Sequence, residues 1–480
     1  MTKLHLSYII PILLTLLISC NSDKKNDNDT RLHPDSDVVK RDLDDIRREG
    51  VLNVLTTYSS TSYFLYKGQP MGYEYEMLKH FSKYLGVDLN MVVSNDIDTM
   101  HSELNLGEVD LIAHGLTVTR ERRKHIEFSD YLYLTYQVLV QKKPDNWRTM
   151  HWRELHNSTI HDPIELIGDT VSVRANSSYI NRLANLSDEL GGEIYIDTLP
   201  GYLSTNKIIE MVASGEIKYT VADNNIASIN ASYYPVLDTR VPISFSQQIA
   251  WAMRKNSPQL KRELNKWLRM MKKEAIYNVI YNKYFENEKN FRRRVDSDFY
   301  SLNNSKISEY DDLIKIHAQD LGWDWRLMAS QIYQESRFNP ESESWAGAQG
   351  LMQMMPTSAK YFDVDDRTNP EKNLEGGTKM LKLLWNRFEE VPDSVQRIKL
   401  TLAAYNSGYG HVVDAQKLAD SMGVKRDTWD GNVEEMMLKL SYPENYNKPF
   451  IDYGYVRGIE PVTYVKQIFS RYDHYVQFIE

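Results

Sequence analysis

Three glutamates, Glu335, Glu341 and Glu343, stand close together in the stretch QIYQESRFNPESESWAGAQGLMQMMP. Glu335 ends a predicted helix, on the same face as the apolar Met328 and Ile332. A carboxylate that is partly buried, and close to the negative end of a helix dipole, has a raised pKa. An acid that stays protonated near neutrality can protonate a glycosidic oxygen. We therefore predict Glu335 as a general acid, and the other two glutamates as solvated loop residues.

The helix that carries Glu335 belongs to a long helical region. Two amphipathic segments, ISEYDDLIKIHAQDLG and WRLMASQIYQESRF, follow each other, and Asp324 is predicted to cap the second. A structural role for Glu335 is the alternative, because a carboxylate at this position could pair with Arg337. Tyr405 could likewise be a core residue, and Asn406 could end a helix before a glycine.

From about residue 307 to its end, the chain resembles the lysozyme-like domain of lytic transglycosylases. The resemblance rests on the motifs ESRFNP, GAQGLMQMMP, LAAYNSGYG and YVKQI. It implies a mainly α fold, Glu335 as the catalytic residue and no cofactor. It leaves the role of Glu460 open, because EPVTYV lacks an arginine that many relatives carry. The implied substrate-contacting residues are Ser336, Gly350, Leu351, Met352, Gln353, Tyr405, Asn406, Glu460 and Tyr464.

The same resemblance implies cleavage of the β-1,4 bond between MurNAc and GlcNAc in peptidoglycan. Glu335 would protonate the bond and then deprotonate the C6 hydroxyl of the sugar, which attacks C1 and gives a 1,6-anhydro end. The Tyr405 and Asn406 region would hold the N-acetyl group. An attached nucleophile has a high effective molarity, so a second catalytic acid is dispensable. Two other functions stay open: a muramidase that uses water, and a non-catalytic module that senses or binds the cell wall.

The chain has 480 residues, which is more than one domain usually holds. Strands and helices alternate from Gly50 to about residue 285, which predicts an α/β domain with a mainly parallel sheet. We predict two lobes within residues 46–287, lobe 1 at about 50–140 and 241–287 and lobe 2 at about 144–240. A polar linker at 288–305 would then lead into the helical domain at 306–480.

This α/β region resembles periplasmic solute-binding proteins of the amino-acid-binding type. The resemblance rests on GYEYEML, GLTVTRERRKHIEFSDYL, DTVSVRANSSY and VADNNIA. It implies that Arg122 binds a carboxylate and Asp223 an ammonium group, with hydroxyls from Thr117 and Thr119 and the ring of Tyr63 beside the ligand. The ligand would be a free amino acid or the peptide of a cell-wall fragment.

Other roles stay open for two of these residues. Arg122 belongs to a cluster of arginines and could be solvated, and Asp223 could cap the helix that follows it. Because a ligand-binding domain precedes a second predicted active site, we expect the first domain to regulate the enzyme.

The N-terminus predicts export and a lipid anchor. A basic start and an apolar run end in LLISC, which resembles a bacterial lipoprotein signal at residues 1–20 with Cys20 as the lipidated residue. The alternative is an ordinary signal peptide followed by a lone thiol. Residues 21–45 are polar and predicted to be a disordered tether. Asn21 gives no clear signal for retention at the inner membrane, so we expect the outer membrane.

Charge argues against a nucleic-acid partner, since the net charge is −9 and the one basic run is RRR at 292–294. We predict no metal site. Neither the spaced histidines nor the clustered aspartates have the pattern of a metal-binding motif; these residues are His151, His156, His161, Asp363, Asp365 and Asp366.

Overall fold

The computed structural model describes residues 39–94 and 97–479. The predicted signal peptide, Cys20 and most of the predicted tether lie outside the described residues. The last part of that tether is folded, contrary to prediction: Asp42 caps helix α1 (Leu43–Glu49), and Leu43 and Ile46 are buried in the core of the next domain.

Lobe 1 is built on a mixed β-sheet. Its strands run in the order β4, β1, β5, β13, β6, and β7 pairs with β13. The first three are parallel, as the alternation of strands and helices predicted, whereas β13 is antiparallel to β5. The elements are β1 (Val51–Thr56), β2 (Phe64–Tyr66), β3 (Gln69–Met71), α2 (Tyr73–Leu85), β4 (Asp88–Val93), α3 (Ile97–Leu106), β5 (Leu111–Thr117), β6 (Glu127–Phe128), β7 (Tyr133–Thr135), β13 (Gln247–Met253), α8 (Pro258–Met271) and α9 (Ala275–Phe285).

Lobe 2 contains a parallel pair of strands and a three-stranded antiparallel sheet. Strands β9 and β10 are parallel, and β8 lies between β11 and β12. The elements are β8 (Gln137–Lys142), α4 (Trp152–Asn157), β9 (Thr170–Arg174), α5 (Ser178–Leu190), β10 (Tyr195–Leu199), α6 (Thr205–Ser214), β11 (Tyr219–Asp223), α7 (Asn224–Tyr233) and β12 (Leu237–Pro242).

The chain crosses between the lobes at points that differ from the predicted ones. The apolar segment YLYLTYQVLVQ is divided between two strands, because β7 pairs with lobe 1 and β8 with lobe 2. Tyr136 alone separates them, so the first crossing precedes residue 140. The second crossing falls at residues 243–246, between β12 and β13.

The predicted polar linker contains a helix, α10 (Glu288–Val295), that packs on α7 and α9. Phe291 and Arg294 are buried, and the guanidinium of Arg294 lies over the rings of Phe64 and Tyr284. The residues after residue 287 therefore extend the packed structure of the first domain.

The C-terminal domain is helical and has its own core. Its central pair is α12 and α19, flanked by α11 and α15. No helix among the described residues is both long and apolar enough to cross a bilayer. The helices are α11 (Asp311–Leu321), α12 (Trp325–Ser336), α13 (Pro356–Tyr361), α14 (Pro370–Arg387), α15 (Ser394–Ser407), α16 (Tyr409–Met422), α17 (Glu434–Lys439), α18 (Pro443–Tyr446) and α19 (Ile459–Phe478).

The two domains meet where the β2–β3 hairpin of lobe 1, residues 64–71, packs on the helical domain; we call it the docking hairpin. Leu65 joins the core of the helical domain, and the Tyr475 hydroxyl donates to the Gly68 carbonyl at 2.7 Å. Gly68 has φ +71°, and a Cβ there would lie 2.7 Å from that hydroxyl and 2.8 Å from the ring of Phe338. Only glycine allows this close approach.

Candidate active site and ligand cleft

Helix α12 presents Glu335 as the sequence predicts. The Asp324 side chain accepts a hydrogen bond from the Arg326 amide at the helix start, and Met328 and Ile332 are fully buried on the face that Glu335 continues. The helix ends one residue after Glu335, at a left-handed Arg337 (φ 53°). Glu335 is half-buried at the end of a helix that is fixed along its length.

Helix α19 supplies the hydrogen-bond partner of Glu335. The Tyr464 hydroxyl donates to Glu335 Oε1 at 2.5 Å, and Gln331 Nε2 donates to the same hydroxyl at 3.3 Å. The Ser330 hydroxyl donates to the carbonyl of Ile468 at 2.7 Å and ties the two helices together. The carboxylate is thus held by two packed helices.

Burial raises the pKa of Glu335 to about 7, although the hydrogen bond from Tyr464 opposes this rise. Among the described residues, the hydrogen-bond partner of the Glu335 side chain is Tyr464 and not Arg337. Glu341 and Glu343 are exposed, as predicted. Near neutrality Glu335 can therefore both give and take a proton.

A tight turn at residues 350–353 faces helix α15. The Tyr405 hydroxyl donates to the Met352 carbonyl at 2.8 Å, and the Met352 amide donates to Asn373 Oδ1 at 2.7 Å. Gly350 has φ +86°, and a Cβ there would lie 2.0 Å from the Arg367 carbonyl oxygen. Burial and the charge of Glu335 raise the pKa of Tyr405, so Tyr405 lies within electrostatic reach of the acid.

The remaining residues predicted for this site have different surroundings. Leu351 and Met352 are buried, so only their backbone could touch a ligand. Ser336 is also buried, and its hydroxyl donates to the carbonyl one turn earlier at 3.2 Å. Gln353 Nε2 donates to two carbonyls of its own loop, at 2.9 and 3.0 Å.

Two predicted residues are exposed. Asn406 lies beside Tyr405 in the last turn of α15, before Gly408. Glu460 lies one turn before Tyr464 on α19, where it forms an ion pair with Arg457 at 2.7 Å. Neither has a described contact with Glu335.

A second site lies in the cleft between the two lobes, where the cavity has a volume of about 70 Å³. Hydrogen bonds cross it, from the Ser178 hydroxyl to Thr117 Oγ1 at 3.2 Å and between Arg174 and His114 at 3.0 Å. The charged and aromatic residues that line it are Tyr73, Glu74, His114, Arg122, Tyr133, Arg174, Tyr179, Asp223 and Phe285.

Arg122 and Asp223 both face this cleft. Arg122 Nη1 donates to the Thr117 carbonyl at 3.0 Å, and burial lowers the pKa of Arg122 to about 10, with a contribution from Arg174. Asp223 stands at the N-cap of α7, yet its side chain makes no capping bond, and its Oδ1 has no partner among the described residues. Burial raises the pKa of Asp223 to about 7, partly offset by Arg122. The two groups are therefore available to a ligand.

Two residues that were predicted to line the cleft, Tyr63 and Thr119, lie outside it. Tyr63 is fully buried between the domains, where its hydroxyl bonds to His474 Nδ1 and its ring packs on Phe478. Thr119 uses its hydroxyl to accept a hydrogen bond from the Arg122 amide at 3.2 Å, which shapes the loop. Thr117 does line the cleft and is buried.

Several residues of these sites were not predicted, and Arg174, His114 and Gln331 are the most informative of them. Arg174 ends strand β9 and His114 lies within strand β5, and both residues line the cleft. A polar, titratable side chain in an otherwise apolar strand is the sequence signal that could have identified them. Gln331 lies one turn before Glu335, so helical spacing could have found it. Among the described residues, no group of three His, Cys, Asp or Glu side chains is arranged to hold a metal ion.

Comparison with known proteins separates the same two regions. Residues 51–287 match the family model for bacterial extracellular solute-binding proteins, family 3, and residues 312–427 match the transglycosylase SLT domain. Three curated relatives are each called membrane-bound lytic murein transglycosylase F. The protein of Desulfosudis oleivorans is 35% identical over 89% of this chain and 90% of its own length. Those of Shewanella loihica and Shewanella woodyi are 33% and 32% identical, over 88% and 97% of this chain and 85% and 91% of their own lengths.

The similarity extends through both domains and the segment between them. This chain therefore belongs to the family of membrane-bound lytic murein transglycosylase F.

Proposed function

We propose that this protein is a peptidoglycan lytic transglycosylase that cleaves the MurNAc–GlcNAc β-1,4 bond and leaves a 1,6-anhydro-MurNAc end. The observation that carries this proposal is Glu335, a half-buried acid whose pKa burial raises to about 7 and whose side-chain hydrogen-bond partner is the Tyr464 hydroxyl and not a second carboxyl group. Glycosidases that use water normally need a pair of carboxylates. A single acid fits a reaction in which the sugar supplies its own nucleophile.

In the first half of the reaction, Glu335 donates its proton to the glycosidic oxygen as the bond to C1 breaks. The substrate's N-acetyl carbonyl steadies the positive charge at C1, and Tyr405 and Asn406 are the residues that we propose hold that group. Glu335, now a carboxylate, accepts the proton of the C6 hydroxyl while O6 bonds to C1. The hydrogen bond from Tyr464 stabilises the carboxylate between the two proton transfers.

The mass of the product tests this reaction. We expect the purified protein to release murein fragments that are lighter by one water than hydrolysis products, and to take up no label when digestion runs in ¹⁸O-water. Labelled fragments with a free reducing end would identify a muramidase instead. Binding of murein without release of any fragment would identify a non-catalytic binding module.

For the N-terminal domain, we propose that it binds a small ligand with a carboxylate and an ammonium group and regulates the enzyme. Free Arg122 and Asp223 groups in the cleft support the binding role. The path of the chain supports the regulatory role. Residues 57–62 contribute to the lining of the cleft and lead directly into the docking hairpin. That hairpin contacts Tyr475 on the helix that also carries Tyr464. Identical murein turnover with and without every ligand tested would contradict regulation.

The relatives are named as membrane-bound proteins, and we propose that a lipid on Cys20 attaches this protein to the outer membrane. The signal-like N-terminus supports this anchor. We expect Cys20→Ser to move the protein from the outer-membrane fraction to the periplasmic fraction. A variant that stays in the outer membrane after a high-salt wash would contradict a lipid anchor.

A further inference from the structure

The charges that face the lobe cleft are unequal. Arg122 and Arg174 face it from opposite lobes, and the unpartnered carboxylate is that of Asp223. The described hydrogen bonds of their guanidinium groups go to neutral partners, from Arg122 to the Thr117 carbonyl and from Arg174 to His114. Both guanidinium groups line the same cleft, and burial together with the charge of Arg174 lowers the pKa of Arg122. Two desolvated cations with one nearby anion favour a ligand that brings further negative charge.

His114 does not add a third positive charge. Arg174 Nη2 lies 3.0 Å from His114 Nε2, and a guanidinium can only donate, so Nε2 accepts. The ring proton is therefore on Nδ1, which lies 2.6 Å from Thr57 Oγ1 and donates to it. Burial, with the two nearby arginines, holds the pKa of His114 well below its usual value. His114 stays neutral and holds Arg174 in place.

Glu74 also lines the cleft, but the protein itself occupies both of its oxygens. The Trp251 indole donates to Oε2 at 2.5 Å and the Gly115 amide donates to Oε1 at 3.0 Å. Burial also raises the pKa of Glu74, although these two hydrogen bonds oppose the rise. Glu74 therefore does not balance either cation.

We infer that the cleft selects a ligand with one ammonium group and two carboxylates, which is the charge pattern of an acidic amino acid. Arg122 binds the α-carboxylate, Asp223 the ammonium group, and Arg174 the second carboxylate. The start of α5, four residues after Arg174, adds a positive helix end on the same side of the cleft. This inference rests on the proposed ligand-binding function of the domain.

Calorimetric titration of the mature full chain tests the inference, with L-glutamate, L-glutamine and L-arginine as probes. We expect glutamate to bind at least about tenfold tighter than glutamine, because the amide cannot neutralise Arg174. The dipeptide L-alanyl-γ-D-glutamate carries the same three charges and shows whether a peptide or a free amino acid is preferred. Arg174→Gln should remove the preference for glutamate and leave glutamine binding within a few-fold of wild type, while Arg120→Gln, at an exposed position outside the cleft, should change neither.

Glutamine or arginine binding as tightly as glutamate to the wild-type chain would overturn the inference but keep the ligand-binding function. If none of the probes binds, both the inference and the proposed ligand-binding function are overturned. The wild-type panel decides between these outcomes even if Arg174→Gln does not fold.

Discussion

Replacing Glu335 by glutamine should reduce murein turnover by about 10³-fold or more. General acid–base catalysis contributes about 10²- to 10⁴-fold, and in the proposed mechanism one residue serves as both acid and base. The amide keeps the size of the side chain and can still accept the hydrogen bond from Tyr464. It cannot transfer a proton, so the chemical step is lost while the site remains intact. Release of soluble muropeptides from purified murein measures the effect.

Glu343→Gln is the matched control, because Glu343 lies in the same stretch of sequence but is exposed. That variant should keep wild-type turnover. Both variants should bind murein in sedimentation assays, and the thermal midpoint of Glu335→Gln should not fall, since the change replaces a half-buried carboxylate by a neutral amide of the same size. Turnover by Glu335→Gln within about tenfold of wild type would contradict the assignment of Glu335 as the general acid.

Arg122→Ala should abolish ligand binding in the lobe cleft, with at least about a hundredfold loss of affinity for L-glutamate. Loss of one partner of a buried, hydrogen-bonded charge pair costs about 2–5 kcal/mol, because the other charge is left buried and unpaired. In the same variant, murein turnover should no longer respond to glutamate. Titration calorimetry measures the binding, and turnover with and without saturating glutamate measures the response.

Arg120→Ala supplies the control for this change, because Arg120 belongs to the same loop but is exposed and does not line the cleft. Its binding and its response to glutamate should match those of wild type. An Arg122→Ala protein that binds glutamate with near wild-type affinity would show that the carboxylate site lies elsewhere.

Local sequence patterns were sufficient to predict the features of this molecule that depend on a single helix. The face of α12 that carries Glu335 follows from helical periodicity, and its start follows from the capping aspartate, Asp324. The division into an α/β region and a helical region follows from the hydrophobic pattern, which changes along the chain from alternating strand and helix segments to helix segments alone. These features depend on residues within one or two turns of each other.

Features that depend on distant residues were missed. Tyr63 was predicted to lie beside a ligand, but its partner His474 is 411 residues away and belongs to the other domain. The pair Arg174 and His114 is likewise 60 residues apart. The crossing at Tyr136 has no glycine or proline to mark it, so one apolar run concealed two strands. Helix α10 was missed because its buried residues include Arg294, a charged side chain that sequence analysis treats as solvated.

The pH dependence of kcat/KM for murein, in wild type and in Tyr464→Phe, tests the central role of Glu335 most directly. A general acid must be protonated, so wild-type kcat/KM should fall as the pH rises through about 7, the pKa of Glu335. The Tyr464 hydroxyl stabilises the carboxylate, so its removal should raise that pKa and move the falling limb to a pH about one unit higher. NMR titration of the Glu335 carboxyl carbon should show the same change. If the carboxyl pKa rises while the falling limb stays where it is in wild type, a group other than Glu335 delivers the proton.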